Sequence, residues 1–375
     1  MNMTTKTIKA TIKSIQTLKV DPIVHPSLVV QGSSGVHDHS NFLIVRIILS
    51  SGIEGIGEVS GTLGWSGEDS GTAEHAIRTV LAPALIGQTI SPVENLLSKM
   101  ETALAASPFT KAGVATALWD AYARSLDITM ADALGGAIRT EVPIKFSLSG
   151  DKARIKHVYE AATKMGFGAF KLKIGRDPID DGDRFAYTRA LVGADTFLGT
   201  DANTGYRRSE ARLAVSIMRE HNPAFLEQPV AAGDLQGMHE MKELGIPVIA
   251  DESVFDLDDL VSVLRAEAAD VISIYVGKSG GPSKAVEMGR IADAFGLDSL
   301  IGSNGESGVG AAAQLQVACA MPGLSMRFPS DIIGEFYYVD GILDKPLDSD
   351  GRSVRLPDGP GLGVGLRGDL IEKFR

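Results

Sequence analysis

Seven short apolar segments in the second half of the chain run into polar residues and recur at intervals of about 26 residues. They begin at Val142, Ala169, Phe197, Ala224, Val248, Val271 and Ser299, with amphipathic, helix-length stretches between them. Strand-length runs alternating with helical ones are the pattern of βα units, whose strands lie parallel in one sheet. Seven or eight such units in about 190 residues favour a closed (β/α) barrel over an open, doubly wound sheet.

The first 135 residues have a different texture. Period-2 alternation over 8–20 and 41–50, then a Gly-rich turn into a third strand, predicts an antiparallel meander. Loops of mixed polarity at 21–40 (with His25, His37 and His39) and 59–71 (with Trp65) interrupt it. A 3.6-residue period then predicts helices over 71–84, 91–104, 109–125 and 128–134. At 375 residues the chain exceeds the usual single core. The expected division is an α+β domain over 1–135, a barrel over 136–335, and a segment over 336–375 that returns to the first domain. The fold class is therefore α/β, a modified barrel carrying an α+β domain.

A hydrophobic share of 44% and a charged share of 22% describe an ordinary globular protein. The formal net charge of −11 argues against nucleic acid and anionic membranes as partners. The N-terminus shows no apolar signal core, and the apolar run Phe42–Leu49 is far too short to span a bilayer, so the cytoplasm is the expected location. Cys319, the single cysteine, can form no internal disulfide and sits in an apolar run, which gives it a structural role. The expected partners are a small carboxylate substrate and further copies of the same chain.

In a barrel, chemistry gathers at the C-terminal ends of the strands. Those ends read Lys171 and Lys173, Asp201 and Asn203, Glu227, Asp251, Lys278, and Gly302-Ser303-Asn304-Gly305-Glu306. Lys171 and Lys173 alternate with Phe170, Leu172 and Ile174, so both ammonium groups point to one side, which is costly inside a barrel without compensation. Asp201, Glu227 and Asp251 lie on three successive strands and would repel one another without a cation between them. Oxygen donors with no His or Cys favour Mg²⁺, or Mn²⁺, over zinc. Asn203 could orient a bound water. Lysines on both sides of such a trio suit proton abstraction next to a carboxylate, and Lys171, the metal and partial burial would lower the pKa of Lys173. Capping of the following helices by each Asp is the bland alternative, and it explains the set poorly. Gly277-Lys278-Ser279-Gly280-Gly281 also fits a nucleophile elbow, but no His follows its Ser, the last being His239. As a P-loop it fails because the first glycine would fall at Ile272.

Lys171-Leu172-Lys173, Asp201-Ala202-Asn203, Glu227-Gln228-Pro229, Asp251-Glu252-Ser253 and Val276-Gly277-Lys278-Ser279-Gly280-Gly281 together resemble the enolase superfamily, and within it the muconate lactonizing enzyme subgroup. The tail Leu356-Pro357-Asp358-Gly359-Pro360-Gly361-Leu362-Gly363 is similar to that subgroup's C-terminal motif. The resemblance covers nearly the whole chain. It implies a capping domain completed by the C-terminal tail over a (β/α)₇β barrel. It also implies Mg²⁺ ligation by Asp201, Glu227 and Asp251, with Lys173 and Lys278 as the acid/base pair and Lys171 as their neighbour. Asn203, Glu252 and Ser303 are expected in supporting or substrate-binding roles, and Glu306 falls at the helper-carboxylate position after the seventh strand.

In this family specificity resides in the two capping loops and the eighth strand, here Leu324–Asp331. The Asp-x-Asp signature of dipeptide epimerases is missing there. Phe328-Pro329-Ser330-Asp331 looks like N-acylamino acid racemases and o-succinylbenzoate synthases, whereas Tyr275-Val276-Gly277-Lys278 looks like cycloisomerases. The leading expectation is a metal-dependent isomerase forming an enolate of a carboxylate substrate, muconate cycloisomerase-like. Racemase, synthase or epimerase chemistry is the alternative. A Schiff-base lyase and a non-catalytic barrel stand further off.

Overall fold

A computed structural model describes residues 9–32, 35–37 and 39–374, without the side chains of Val36 and His37. The start of the strand expected from residue 8, and the side chain of His37, lie outside it. The first strand, β1 (Ile12–Val20), is followed by a small hairpin of β2 (Val30–Gly32) and β3 (Gly35–His37). Then come β4 (Phe42–Leu49) and β5 (Glu54–Val59). β1, β4 and β5 form the antiparallel meander in that order. Both loops have structure of their own, a hairpin in 21–40 and a short helix, Leu63–Ser66, in 59–71.

The meander packs on the helix Pro108–Leu126, whose residues are buried almost all round. Small residues on both sides allow the backbones to meet. A Cβ at Gly57 would stand 2.1 Å from the Gly113 carbonyl oxygen, so that strand position admits only glycine. Asp120, on the same helix, has no exposure and accepts from Ile56 N at 2.8 Å and Leu362 N at 2.7 Å. One carboxylate thus joins β5, the helix and the C-terminal tail. The tail also bonds Gly361 N to Ile128 O at 2.8 Å and accepts from Met130 N at 2.7 Å.

After β6 (Glu141–Pro143) come β7 (Phe146–Leu148), β8 (Ala169–Lys173), β9 (Phe197–Asp201) and β10 (Leu226–Glu227). β11 (Val248–Ala250), β12 (Val271–Ile274) and β13 (Asp298–Ile301) complete a seven-stranded parallel sheet in strict sequence order. Helices alternate with the strands, several capped by Asp residues such as Asp151, Asp177 and Asp256. Phe225, Ile249, Val271, Leu300 and Phe328 form a separate buried cluster between the strands.

The segment expected as an eighth strand closes the ring through two single bridges, Ser299 with Leu324 and Ile144 with Ser330. A continuous ladder is blocked for two reasons. Ser325 Oγ accepts from the backbone N of Arg327 and Phe328, which turns the chain, and Pro329 has no N–H to donate.

The capping layer is bolted to the barrel by a buried carboxylate. Glu58, on β5, accepts from Ser307 N (2.7 Å), Gly310 N (3.0 Å) and the Ser307 hydroxyl at the start of the helix Gly308–Ala320. Burial nevertheless lifts its pKa to about 7, against an ordinary 4.5. Between those values the folded state keeps a proton that the unfolded chain has released, so stability falls as pH rises and levels off above about 7. The contribution is on the order of 3 kcal/mol. We expect the melting temperature of Glu58→Gln to decline less than wild type between pH 5 and 7.5. Parallel pH profiles from thermal denaturation would sink the assignment.

Candidate active site

Strand alternation puts Phe170 and Leu172 into the core and turns Lys171 and Lys173 into the mouth of the barrel. The register then aligns the carboxylates, with Lys173 beside Asp201 and Asp201 beside Glu227. Asp201 and Glu227 have no exposure and Asp251 has 1%.

Lys171 Nζ lies 2.9 Å from Glu227 Oε1, 3.1 Å from Asp331 Oδ2 and 3.3 Å from Asp201 Oδ2. Lys173 Nζ lies 2.6 Å from Asp201 Oδ2 and 2.9 Å from Asn203 Oδ1. Asn203, held at a positive φ of 41°, also donates through Nδ2 to Glu252 Oε1 at 3.0 Å. Lys278 Nζ donates to Asp251 Oδ1 (2.6 Å), Asp251 O (2.7 Å) and Ser273 O (3.2 Å). Gln228, within the Glu-Gln-Pro stretch, accepts from Asp251 N at 3.0 Å and fixes one carboxylate-bearing strand end to the next.

A cavity of about 290 Å³ opens here, lined among others by Lys171, Lys173, Asn203, Asp251, Glu252 and Ser303. Trp65 from the 59–71 loop and Val30 and Gly32 from the hairpin help to roof it. Of the expected residues, Asp201, Glu227, Lys278 and Glu306 are not on its wall; Asp201 and Glu227 lie buried directly behind Lys173 and Lys171. Glu306 sits behind Ser303, whose hydroxyl it binds, and accepts from Asn304 N at 3.1 Å.

Three residues outside the expected set matter. Lys145 is completely buried and joins Asp331 Oδ2 at 2.9 Å and Pro329 O at 2.6 Å. Asp331 itself bridges Lys145 and Lys171. Tyr275 donates its hydroxyl to Asp251 Oδ2 at 2.9 Å. Lys145 was open to the same alternation that exposes Lys171, since Ile144 and Phe146 flank it; Ser147 faces Lys171 in the register.

Burial alone would lower Lys171, but Asp331, Glu227, Asp201 and Asp251 outweigh it and hold the ammonium well above its usual range. Lysine 171 is a fixed charge. Burial, and then Asp201, pushes Glu227 up; burial, and then Asp251, does the same to Glu252. Burial acts against Asp201 as well, yet Lys173 and Lys171 bring it down. Burial also pushes the Cys319 thiol up to about 12, as suits a structural residue.

Among the described residues, no three carboxylate, His or Cys side chains are gathered closely enough to hold a metal ion as they stand. Lysine ammonium groups lie between them. The donor set still fits a hard divalent cation. It is all oxygen, Glu252 Oε2 is buried without a partner, and five carboxylates (Asp201, Glu227, Asp251, Glu252, Asp331) face four ammonium groups. No helix among the described residues is long and apolar enough to cross a membrane.

Residues 14–135 match the family model for the mandelate racemase / muconate lactonizing enzyme N-terminal domain, and residues 154–370 match that of the enolase C-terminal domain-like family. The chain belongs to this enolase-superfamily family, and its relatives are isomerases. It is 31% identical over 370 residues to muconate cycloisomerase 1 of Rhodococcus opacus, covering 97% of this chain and 98% of that one. It superposes with a TM-score of 0.92 on a muconate lactonizing enzyme from Pseudomonas fluorescens complexed with muconolactone, at 25% identity over 98% of this chain and 100% of the other. A substrate-liganded L-Ala-D/L-Glu epimerase from Bacillus subtilis matches at 0.90 and 29% identity, over 95% and 99%. The protein is thus an enzyme, an isomerase of the enolase superfamily whose relatives include cycloisomerases and epimerases.

The Lys145–Asp331 pair is testable by itself. Lys145→Ala leaves the buried Asp331 dependent on Lys171 alone, and we expect a loss of about 3 kcal/mol in the unfolding free energy measured by denaturant titration. A change within about 0.5 kcal/mol would mean that the pair is not a structural element.

Proposed function

We propose that the protein isomerises a small carboxylate through its enolate, with Lys173 as the group that moves the α-proton, delivering it in ring closure and removing it in the reverse direction or in racemisation. The observation that carries this reading is the Lys173 ammonium on the cavity wall, steered by Asp201 Oδ2 and Asn203 Oδ1. Mg²⁺, or Mn²⁺, held by Asp201, Glu227 and Asp251 would bind the substrate carboxylate and take up the negative charge that develops as the proton leaves. Lys171 bridges Asp201, Glu227 and Asp331 and holds these carboxylates close together. Asn203 and Glu252 fix the orientation of the Lys173 side chain, and Ser303, backed by Glu306, lines the opposite rim. Lys278 contributes positive charge across the site. The active site would then lie between a capping unit over 1–135 and a barrel over 136–335, with 336–375 tied back to the cap.

The muconate cycloisomerase-like reaction is the leading form, supported by the similarity to the Rhodococcus opacus enzyme. The runner-up is racemase, epimerase or o-succinylbenzoate synthase-like chemistry, favoured by Phe328-Pro329-Ser330-Asp331 and by the likeness to the Bacillus subtilis epimerase. The two forms divide on a panel of muconates, N-acylamino acids and dipeptides incubated in D₂O with Mg²⁺, where NMR reports α-proton exchange and product. We expect Lys173→Met to reduce turnover at least about 100-fold. Chelation of divalent cations should abolish it. Unchanged turnover in either case removes the mechanism.

A further inference from the structure

The two lysines assigned to the chemistry are not equally available, and one aromatic residue makes the difference. Lys173 lines the cavity and keeps 15% of its side chain exposed. Lys278 is 1% exposed, is not on the cavity wall, and has three acceptors for the three protons of its ammonium. Its Nζ lies 4.0 Å from the centroid of the Tyr275 ring and 5.5 Å from that of Phe255. Tyr275 does line the cavity. The ring therefore stands between the Lys278 ammonium and the space the substrate enters.

That ring is held from several sides. Its hydroxyl donates to Asp251 Oδ2 at 2.9 Å. Trp65, from the capping loop, lies over it at 5.8 Å with a tilt of 34°. Beneath, it rests on Gly302, where a Cβ would come within 2.0 Å of Tyr275 Cε1, so any larger residue at 302 would dislodge it. A cation over an aromatic face gains roughly 2 kcal/mol when desolvated, which keeps ammonium and ring together.

We propose that Tyr275 is a positioning residue that screens Lys278 from the substrate, so that protons are exchanged on the Lys173 face alone and Lys278 acts as a fixed charge. The inference rests on the enolate reading above and narrows it. Lactonisation needs one proton donor on one face, to protonate the enolate left when the carboxylate adds to the double bond, whereas inversion of a stereocentre needs a proton acceptor on one face and a donor on the other. A screened Lys278 thus favours cycloisomerisation over racemisation. Tyr275 also makes the screen replaceable, because a smaller side chain would open a path from Lys278 to the cavity.

Two measurements test this in the intact protein. In the first, wild type is treated with limiting acetic anhydride and the acetylated lysines are quantified by peptide mass spectrometry. We expect Lys173 to react at least about tenfold faster than Lys278 in wild type and in Tyr275→Phe, and the gap to shrink to about threefold or less in Tyr275→Ala. Equal labelling in wild type overturns the proposal without any variant having to fold. In the second, the D and L enantiomers of N-acetylphenylalanine are incubated with the Mg²⁺-supplemented enzyme in D₂O, with deuterium followed by NMR and configuration by chiral chromatography. Wild type should exchange one enantiomer with retention, inversion being at least about tenfold slower, and Tyr275→Ala should raise the ratio of inversion to exchange about tenfold while Tyr275→Phe leaves it unchanged. Inversion as fast as exchange in wild type overturns the proposal. Absence of exchange in every form counts against the enolate reading, and the labelling result still decides the role of Tyr275.

Discussion

The contact on which this site depends is the Lys171 ammonium, buried among Glu227, Asp331 and Asp201. A charge in that position costs several kcal/mol of lost hydration, and so does each carboxylate. None of the four could stay ionised alone. Together they form a connected patch in which Lys171, Asp201 and Asp331 favour one another's charged forms while burial and Asp201 push Glu227 toward its protonated form, and Lys145 extends it to the closing segment of the barrel. The same patch sits above an apolar cluster that includes Phe225 and Phe328, where dielectric screening by water is absent. The interior of the barrel is thus dry and close-packed in one layer and densely charged in the next.

Parallel register is what makes the charged layer possible. Strands β8, β9 and β10 are paired so that Lys173, Asp201 and Glu227 stand side by side. A slip of one residue would turn each of those groups outward into the helix layer. Local fixings resist the slip. Gln228 holds the Asp251 amide, and Asn203 folds back on the Asp201 carboxylate through its own N–H at 2.9 Å. The capping layer adds a second constraint from outside the barrel, because Glu58 and Trp65 tie its strands and loops to barrel residues around the mouth.

Much of this was legible in the residues alone. The βα repeat exposes the barrel, and alternation exposes Lys171 and Lys173. The strand-end positions expose Asp201, Glu227, Asp251 and Lys278, and the change of period near Gly71 exposes the capping helices. The misses share a physical cause. Lys145 lies in the two-residue gap between β6 and β7, just after Pro143, where the extended run is too short for its alternation to stand out. The broken course of Leu324–Asp331 comes from an Oγ turn at Ser325 that a period-2 reading passes over. The raised ammonium of Lys171 depends on how many carboxylates converge on it, and Asp331 arrives from 160 residues away. Glu58 reads as a solvent-facing strand residue until the helix starting at Gly308 is laid over it.

Substrate selection is the least legible property because it is a matter of which groups are covered rather than which are present. The cavity roof comes from the hairpin and from the 59–71 loop, whose shapes are set by contacts with the barrel and not by local periodicity. A muconate cycloisomerase and an L-Ala-D/L-Glu epimerase resemble this chain to much the same degree, so overall likeness does not separate one reaction from another. What can separate them is the environment of each ammonium. Here Lys173 stands in a polar frame open to the cavity, and Lys278 stands behind an aromatic ring seated on a glycine. On the proposed reading, a single ring, positioned by Trp65 from the cap and Gly302 from the barrel, is what leaves one lysine as the base and the other as a fixed charge.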